Sequence, residues 1–124
     1  MVNNIGKTTT IKGESGKEYQ FSLFTFGSFE DVKTQTWRQI PALYLFTRRE
    51  LSNGAYYHTY LYLGETGDLS QRFKNHHKEA ELIQNGTNCI GLYYQNVPQN
   101  EADRKLLEKD ILSAYKFPCN DQNN

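Results

Sequence analysis

Three cationic or ionisable side chains occur close together where an aromatic segment gives way to a predicted helix. The stretch is YLGETGDLSQRFKNHH, residues 62–77, and the side chains are Arg72, His76 and His77. Asp68 fits a helix N-cap, so we predict that Arg72 and His76 lie one turn apart on one helix face. Two such groups near a helix start suit an oxyanion such as a phosphate. On spacing alone, an ion pair for Arg72 and half-buried packing for His76 are the simpler explanation.

Two other binding motifs are excluded by spacing. The segment IGKTTT contains Gly-Lys-Thr, but Met1 stands where a P-loop needs its first glycine. His76 and His77 are neighbours, and adjacent residues on a helix point in different directions. His58 is isolated in a predicted strand, and no second His/Cys cluster has zinc spacing. We therefore expect neither a P-loop nor a zinc site.

A glutamate and two tyrosines are further candidates, each with a simpler explanation. Glu108 lies in RKLLEKDIL, where an ion pair with Arg104 on a solvated helix face accounts for its spacing. Tyr44 and Tyr62 lie among many aromatic residues, and core or cross-strand packing accounts for both.

Composition indicates one folded domain with reduced thiols. The 124 residues carry 14 basic and 14 acidic side chains, so the chain lacks the basic surplus of a typical DNA-binding domain. Cys89 and Cys119 are too few for a disulfide framework. The sequence shows neither a bilayer-spanning apolar run nor a signal peptide. We expect a cytoplasmic protein without membrane contact, nucleoid-associated if bacterial, in which the sequon at Asn85 is only a turn.

The elements that must position these residues belong to the α+β class. TTTIKG and YQFSLFTFG, separated by ESGKE, predict an N-terminal β-hairpin. ALYLFTRRE and AYYHTYLYLGET predict a second hairpin through the turn signal Asn53-Gly54, and CIGLYYQNV predicts a third central strand. SFEDVKTQTWRQ fits either a short helix or a loop. We predict a small central antiparallel sheet flanked by helices, with the N-terminal hairpin as an extension.

Two helices are predicted from caps and apolar periodicity. The first runs from Asp68 to NGTN, and the second follows the N-cap Asn100 and ends at FPCN. The apolar positions are Leu69, Phe73, His76, Ala80 and Ile83 in the first helix, and Leu107, Ile111 and Ala114 or Tyr115 in the second.

Taken together, the candidates stand in an order that resembles a known family. ALY at 42–44, YLG at 62–64, then Arg72, His76, Glu108 and Asn120 resemble the motif set of the GIY-YIG nuclease superfamily. The resemblance covers residues 41–120, leaving 1–40 as an extension with the predicted hairpin and 121–124 as a polar tail.

The sequence departs from the family pattern in two places. Ala42 and Leu43 replace the glycine and isoleucine of the first motif, which a strand tolerates. Seventeen residues separate Tyr44 from Tyr62, a longer hairpin than is usual in the family. The extra length contains Arg48 and Arg49, so it is either a DNA-contacting ribbon or a plain excursion.

The resemblance implies a divalent-metal-dependent DNA endonuclease. Tyr44 would assist water activation, with His76 as a hydrogen-bonding neighbour or alternative base, and Arg72 would hold the scissile phosphate. Because the ordinary tyrosine pKa of about 10 is too high for this task, cations such as Arg72 would have to lower it. Glu108 would ligate one Mg²⁺ or Mn²⁺ ion, and Tyr62 would orient the phosphate or its water. We expect Tyr44 and Tyr62 on neighbouring strands, near Arg72 and Glu108.

The resemblance also implies supporting residues and partners. Gly64 would allow a tight backbone turn before the helix, and Asn120 would pin the final turn against the site. Duplex or branched DNA is the expected partner, contacted through Arg48, Arg49, Lys74 and His77, with a protein partner or a homodimer for targeting. The alternative is a catalytically silent nucleic-acid-binding or protein-interaction module on the same fold.

Overall fold

Residues 2–122 are described by a computed structural model, which shows an α+β fold with five strands and four short to medium helices. The elements in chain order are β1 (Val2–Lys12), β2 (Glu18–Phe26), α1 (Phe29–Thr34), β3 (Ala42–Ser52), β4 (Ala55–Thr66), α2 (Leu69–Arg72), α3 (Glu79–Gln84), β5 (Cys89–Tyr93) and α4 (Glu101–Ala114).

All five strands form one antiparallel sheet in the order β1-β2-β5-β3-β4. The predicted N-terminal hairpin is confirmed, since β1 pairs with β2. Its second strand also pairs with β5, from Ser22 opposite Leu92 to Thr25 opposite Cys89. The first third of the chain therefore completes the central sheet rather than standing apart from it.

The second hairpin extends beyond the rest of the sheet. β3 pairs with β5 only from Leu43 to Thr47, whereas its pairing with β4 continues to Ser52 opposite Ala55. The turn at its tip has φ of 51° at Asn53 and 79° at Gly54, and such positive values suit an Asn-Gly hairpin turn. We call residues 48–59 the distal ribbon.

The sheet has a hydrophobic core on each face, because alternate residues of a strand point to opposite sides. Along β3, Tyr44 and Phe46 belong to the core that also contains Leu69, Phe73 and Leu82 of α2, α3 and the segment between them. Leu43 and Leu45 belong to the other core, which contains Ile111 of α4. Thus α2 and α3 cover one face of the sheet, and α4 covers the other.

The prediction of one long helix after Asp68 is wrong, because the helix is interrupted in its middle. Asp68 is an N-cap, its side chain accepting from the Ser70 amide at 3.0 Å, but α2 ends at Arg72 and α3 begins only at Glu79. Asparagine and histidine are poor helix formers, and the His76 ring accepts the Lys78 amide proton at 3.1 Å. A ring nitrogen therefore takes a backbone donor that a continuous helix would use.

The predicted apolar faces are corrected in detail. Ala80 and Ile83 are exposed, and Leu82 is the residue of α3 that is buried. In α4, Ile111 is buried as predicted, whereas Ala114 and Tyr115 are exposed. The breaks in the helices shift which residues face the sheet.

The two undecided regions also have definite structures. SFEDVKTQTWRQ contains α1, whose N-cap Ser28 forms a capping box with Asp31. Of the polar tail 121–124, residues 123–124 lie outside the described part of the chain. Gln122 is bound to the end of α4, its Nε2 donating to the carbonyls of Leu112 and Tyr115 at 2.9 Å. No helix within residues 2–122 has the length and apolar character needed to cross a bilayer.

Candidate active site

A cavity of about 300 Å³ lies at the exposed edge of β4, between the helices of the two faces. Of the residues predicted for the site or for contact with DNA, six lie in the wall of this cavity. The others lie outside it, namely Tyr44, His76, Lys74, Arg48 and Arg49. Its walls are formed by Tyr62, Gly64, Glu65, Arg72, His77, Lys78, Lys105, Glu108, Leu112, Asn120 and Asp121.

Two helices on opposite faces of the sheet bring Arg72 and Glu108 to this cavity. Arg72 is the last residue of α2, which is anchored in one core by Leu69. Glu108 lies on α4, which is anchored in the other core by Ile111. Because both side chains reach around the edge strand, residues 36 positions apart share one cavity.

Tyr44 is the centre of a hydrogen-bond network behind the cavity and has no exposed surface. Its hydroxyl accepts from Arg72 Nε at 2.8 Å and lies 2.9 Å from His76 Nε2. The other ring nitrogen of His76, Nδ1, accepts the backbone proton of Lys78 at 3.1 Å, so Nε2 carries the ring proton and donates to Tyr44.

The second tyrosine forms the cavity end of this network. Tyr44 and Tyr62 are neighbours on β3 and β4, as predicted, with ring centroids 6.0 Å apart. Interaction between the two hydroxyls lowers the pKa of Tyr62 and raises that of Tyr44. The positive charge of Arg72 opposes the rise of the Tyr62 pKa, and Tyr62 lines the cavity.

The expectation that cations lower the Tyr44 pKa is wrong. Burial raises the pKa of Tyr44 far more than the nearby Arg72 guanidinium lowers it. Burial also raises the pKa of Tyr62, against the opposing effect of Arg72 and of the Tyr44 hydrogen bond. Tyr44 is therefore a neutral phenol that does not line the cavity.

His76 is also neutral. Burial, then the positive charges of Arg72 and Lys78, lowers the pKa of its ring to about 3. Both ring nitrogens have partners, and 4 % of the residue is exposed. The geometry supports the predicted role of hydrogen-bonding neighbour and offers no free nitrogen for the role of base.

Glu108 lies in the wall of the cavity and does not form the solvated ion pair that its spacing suggests. Burial raises its pKa, and Glu65 adds to the rise while Lys105 and Arg72 oppose it. The ion pair with Arg104 is not formed, because Arg104 Nε donates to Glu65 Oε1 at 2.9 Å and only 4 % of Arg104 is exposed. Within residues 2–122, Glu108 is thus a half-buried carboxylate without an ion-pair partner.

The two supporting residues act differently from each other. Gly64 lies inside β4 and not at a turn, and a Cβ there would overlap Cζ and Oη of Tyr44. Its role is therefore to make room for the Tyr44 ring. Asn120 does pin the final turn, since its Oδ1 accepts from the Leu63 amide at 2.9 Å and its Nδ2 donates to the Leu63 carbonyl at 3.0 Å.

Of the residues predicted to contact nucleic acid, His77 alone lines the cavity. Its ring stacks on His76 at 4.9 Å, so the argument that these neighbours diverge fails together with the helix on which it rests. Lys74 is exposed between α2 and α3. Arg48 and Arg49 lie on the distal ribbon, away from the cavity.

Four charged residues of the cavity were not predicted from the sequence. Lys105 lies three positions before Glu108 on α4, and this helical spacing is a signal that identifies it. Glu65 directly follows Gly64 in an otherwise apolar strand, a weaker signal. Lys78 and Asp121, paired at 2.9 Å, meet because α2 and α3 are separate and the C-terminal turn folds back, which no local pattern indicates.

Comparison with known proteins found no matching family model, no matching curated protein and no matching solved structure.

Proposed function

We propose that this protein is a divalent-metal-dependent DNA endonuclease with a GIY-YIG-like site. The observation that carries the proposal is the convergence of a guanidinium, a carboxylate and a phenol on one cavity, from Arg72, Glu108 and Tyr62. Hydrolysis of a phosphodiester needs charge neutralisation at phosphorus, an activated water and a stabilised leaving oxygen. These side-chain types can meet all three needs.

Arg72 is the phosphate-binding residue in this proposal. Its Nε is held by the buried Tyr44 hydroxyl at 2.8 Å, which fixes the orientation of the guanidinium plane. The remaining donors of the planar group suit a bidentate contact with phosphate oxygens. A fixed guanidinium loses little freedom on binding, so it stabilises the developing charge without reorganising.

Glu108 is the residue that would hold the metal ion. Its carboxylate is a hard oxygen ligand of the kind that Mg²⁺ and Mn²⁺ prefer, and burial raises its pKa. A bound cation would offset the cost of that burial, so the donor fits the ion. When bound, the ion supplies Lewis-acid stabilisation of the phosphate and of the departing 3′-oxygen.

Tyr62 is the cavity hydroxyl best placed to orient and deprotonate the attacking water. Burial raises its pKa, and the nearby Arg72 charge and Tyr44 hydroxyl oppose that rise and favour the ionised phenol. With Tyr62 ionised, the water oxygen would attack phosphorus as one of its protons passes to the Tyr62 oxygen, and the bond to the 3′-oxygen would break, with that oxygen taking a proton from solvent. Tyr44 and His76 position this hydroxyl from behind and do not touch the substrate.

The second candidate is a catalytically silent nucleic-acid-binding or protein-interaction module. The observation that favours it is the raised pKa of both tyrosines, which reduces the fraction of either phenol available as a base. This candidate differs from the endonuclease in having no metal-dependent phosphodiester cleavage.

The deciding experiment is nicking of supercoiled plasmid by wild type and by Glu108→Gln. Glu101→Gln, at an exposed position on the same helix, is the matched control. We expect wild type and Glu101→Gln to nick in Mn²⁺ or Mg²⁺ and not in EDTA. Glu108→Gln should lower the rate about a thousandfold or more, because glutamine keeps the size but cannot anchor the cation. An inactive wild type would favour the silent module.

Thermal stability of the same preparations shows whether the fold is intact. Burial raises the Glu108 pKa above its ordinary 4.5, so the charged carboxylate destabilises the folded state above that pH. We therefore expect Glu108→Gln to melt at the wild-type temperature or higher at neutral pH, with the difference vanishing as pH falls below that value. A variant that melts normally and nicks at the wild-type rate would remove Glu108 from the mechanism.

A further inference from the structure

The distal ribbon is a two-stranded β-ribbon whose base is held by the Asn88 side chain, which bonds both backbone groups of Arg49. From Arg48 opposite Thr59 to Ser52 opposite Ala55, its strands pair with each other and with no other strand of the sheet. At about 3.3 Å per residue, it projects roughly 15 Å beyond the five-stranded region. The ladder of backbone hydrogen bonds and the Asn53-Gly54 turn make it a preformed structure rather than a flexible loop.

The ribbon exposes large side chains at its tip. Leu51, Tyr56 and Tyr57 are 62 %, 49 % and 58 % exposed. The Arg49 guanidinium lies 3.6 Å from the centre of the Tyr56 ring, and the Lys7 ammonium from β1 lies 5.8 Å from it. Aromatic surface combined with cations is typical of binding sites and is costly to leave in water without a partner.

The charge of this surface is positive in a chain whose net charge is zero. Glu50 is the only acidic residue from 48 to 59, and its Oε1 forms an ion pair with Arg48 Nε at 2.9 Å. Among the ion pairs of residues 2–122, none involves Arg49 or Lys7. Burial and the positive charges of these two residues lower the pKa of the neighbouring His58.

We infer that the distal ribbon binds the major groove of duplex DNA beside the cleavage site, an inference that rests on the proposed function. The major groove, about 12 Å wide, admits a two-stranded β-ribbon, and the half-buried Arg49 and the exposed Lys7 would complement its phosphate borders. Arg49 and Lys7 contact the backbone, and Tyr57 contacts base edges or sugar. A duplex is favoured over a single strand because Arg49 covers one face of the Tyr56 ring, which leaves Tyr57 as the ring of the ribbon without such a cover, whereas single-strand binding uses successive open rings.

The position of the ribbon relative to the cavity predicts which part of the substrate it contacts. Tyr57 and Tyr62 lie five residues apart along β4, or roughly 16 Å at about 3.3 Å per residue. This distance corresponds to about five base pairs of a duplex. Contact with the ribbon therefore requires a duplex flank of about this length on one side of the scissile phosphate. A flank clearly shorter than this does not reach the ribbon.

The experiment compares two duplexes of random sequence that extend about 2 and about 15 base pairs beyond the scissile position, on either side in turn. Wild type, Arg49→Ala and Lys7→Ala are assayed, with Lys12→Ala as the control that removes an exposed charge elsewhere on β1. We expect the longer flank to lower the wild-type KM about tenfold on one side only. Arg49→Ala and Lys7→Ala should abolish that advantage at unchanged kcat, and Lys12→Ala should keep it.

Binding measured by fluorescence anisotropy in EDTA separates this inference from the proposed function. If the chain binds the longer duplex more tightly through Arg49 and Lys7 but never cleaves, the ribbon inference stands and the endonuclease proposal fails. The ribbon inference is overturned if both variants bind and cleave like wild type. It is equally overturned if flank length has no effect, or if a single strand on that flank replaces the duplex without loss.

Discussion

The buried phenol of Tyr44 holds three side chains of the candidate site in fixed positions. Its oxygen accepts from Arg72 and from His76, and its ring packs against the Tyr62 ring. Gly64 leaves the space that the ring occupies. The two tyrosines therefore differ in place, since Tyr62 lines the cavity and Tyr44 lies behind it, and residue type alone does not distinguish them.

At the residue scale, we predict that His76 stays neutral at least down to about pH 5. Its ring has a pKa of about 3 in the folded protein and an ordinary value of 6.5 when unfolded. The unfolded chain thus binds a proton that the folded chain does not, and stability falls as pH falls through this window, by about 2 kcal/mol from pH 7 to pH 5. Urea unfolding at these two pH values measures the loss, which should be smaller in His76→Gln.

Ring resonances in NMR spectra provide the direct test of the same point. The His76 signals should keep their positions through the neutral range and correspond to the tautomer with the proton on Nε2. A His76 ring that titrates near its ordinary pKa would mean that neither burial nor the network around Tyr44 controls its protonation.

At the element scale, local sequence signals predicted what depends on local physics. The Asn53-Gly54 turn and the N-caps Asp68 and Asn100 were predicted and are confirmed, because each depends on residues within one turn. The break between α2 and α3 was not predicted. It depends on the packing of His76 beside Tyr44 and on its contact with the Lys78 amide, which only the folded chain brings about.

The C-terminal turn is attached to the sheet through one side chain, which gives an element-scale prediction. Asn120 pairs with both backbone groups of Leu63 on the edge strand β4. Asn120→Asp loses the donor and sets a carboxylate against the Leu63 carbonyl, so we expect a loss of about 1–3 kcal/mol in urea unfolding. Asn96→Asp, in an exposed loop, is the control and should change little.

Hydrogen exchange at Leu63 tests the cause of that loss. The Leu63 amide, protected by the Asn120 oxygen in wild type, should exchange faster in Asn120→Ala, while amides in β5 keep their protection. Equal stability and equal exchange in the variants would show that the turn is held by other contacts, such as the bond from the Cys119 amide to the Leu61 carbonyl.

For the whole molecule, the sequence identified the central groups of the cavity and missed their surroundings. Tyr62, Arg72 and Glu108 were found through the resemblance to the motif order of the family, although 45 residues separate the first from the last. Glu65 and Lys78 were missed, because the cavity is assembled from both faces of the sheet and the C-terminal turn. Contacts between distant segments set the charge around the cavity, whereas composition gives only the net charge of the whole chain.

The last prediction concerns the electrostatics of the whole chain toward DNA. With 14 basic and 14 acidic residues, long-range attraction is small, and affinity must come from a few local cations such as Arg72, Arg49 and Lys7. We expect weak binding to a random duplex at physiological salt and a steep gain as salt is lowered. The logarithm of the affinity should fall linearly with the logarithm of salt, with a slope near −0.9 for each phosphate neutralised, roughly −2 to −4 in total.

Anisotropy titrations in EDTA over a salt series measure this slope without cleavage. Arg49→Ala should reduce it by about one, and Lys12→Ala should leave it unchanged, since the first residue is proposed to meet a phosphate and the second is not. Glu108→Gln should bind somewhat more tightly than wild type, because it removes a negative charge beside the phosphate site. Tight binding that salt does not weaken would mean that contacts other than these cations hold the DNA, and the charge argument would then be wrong.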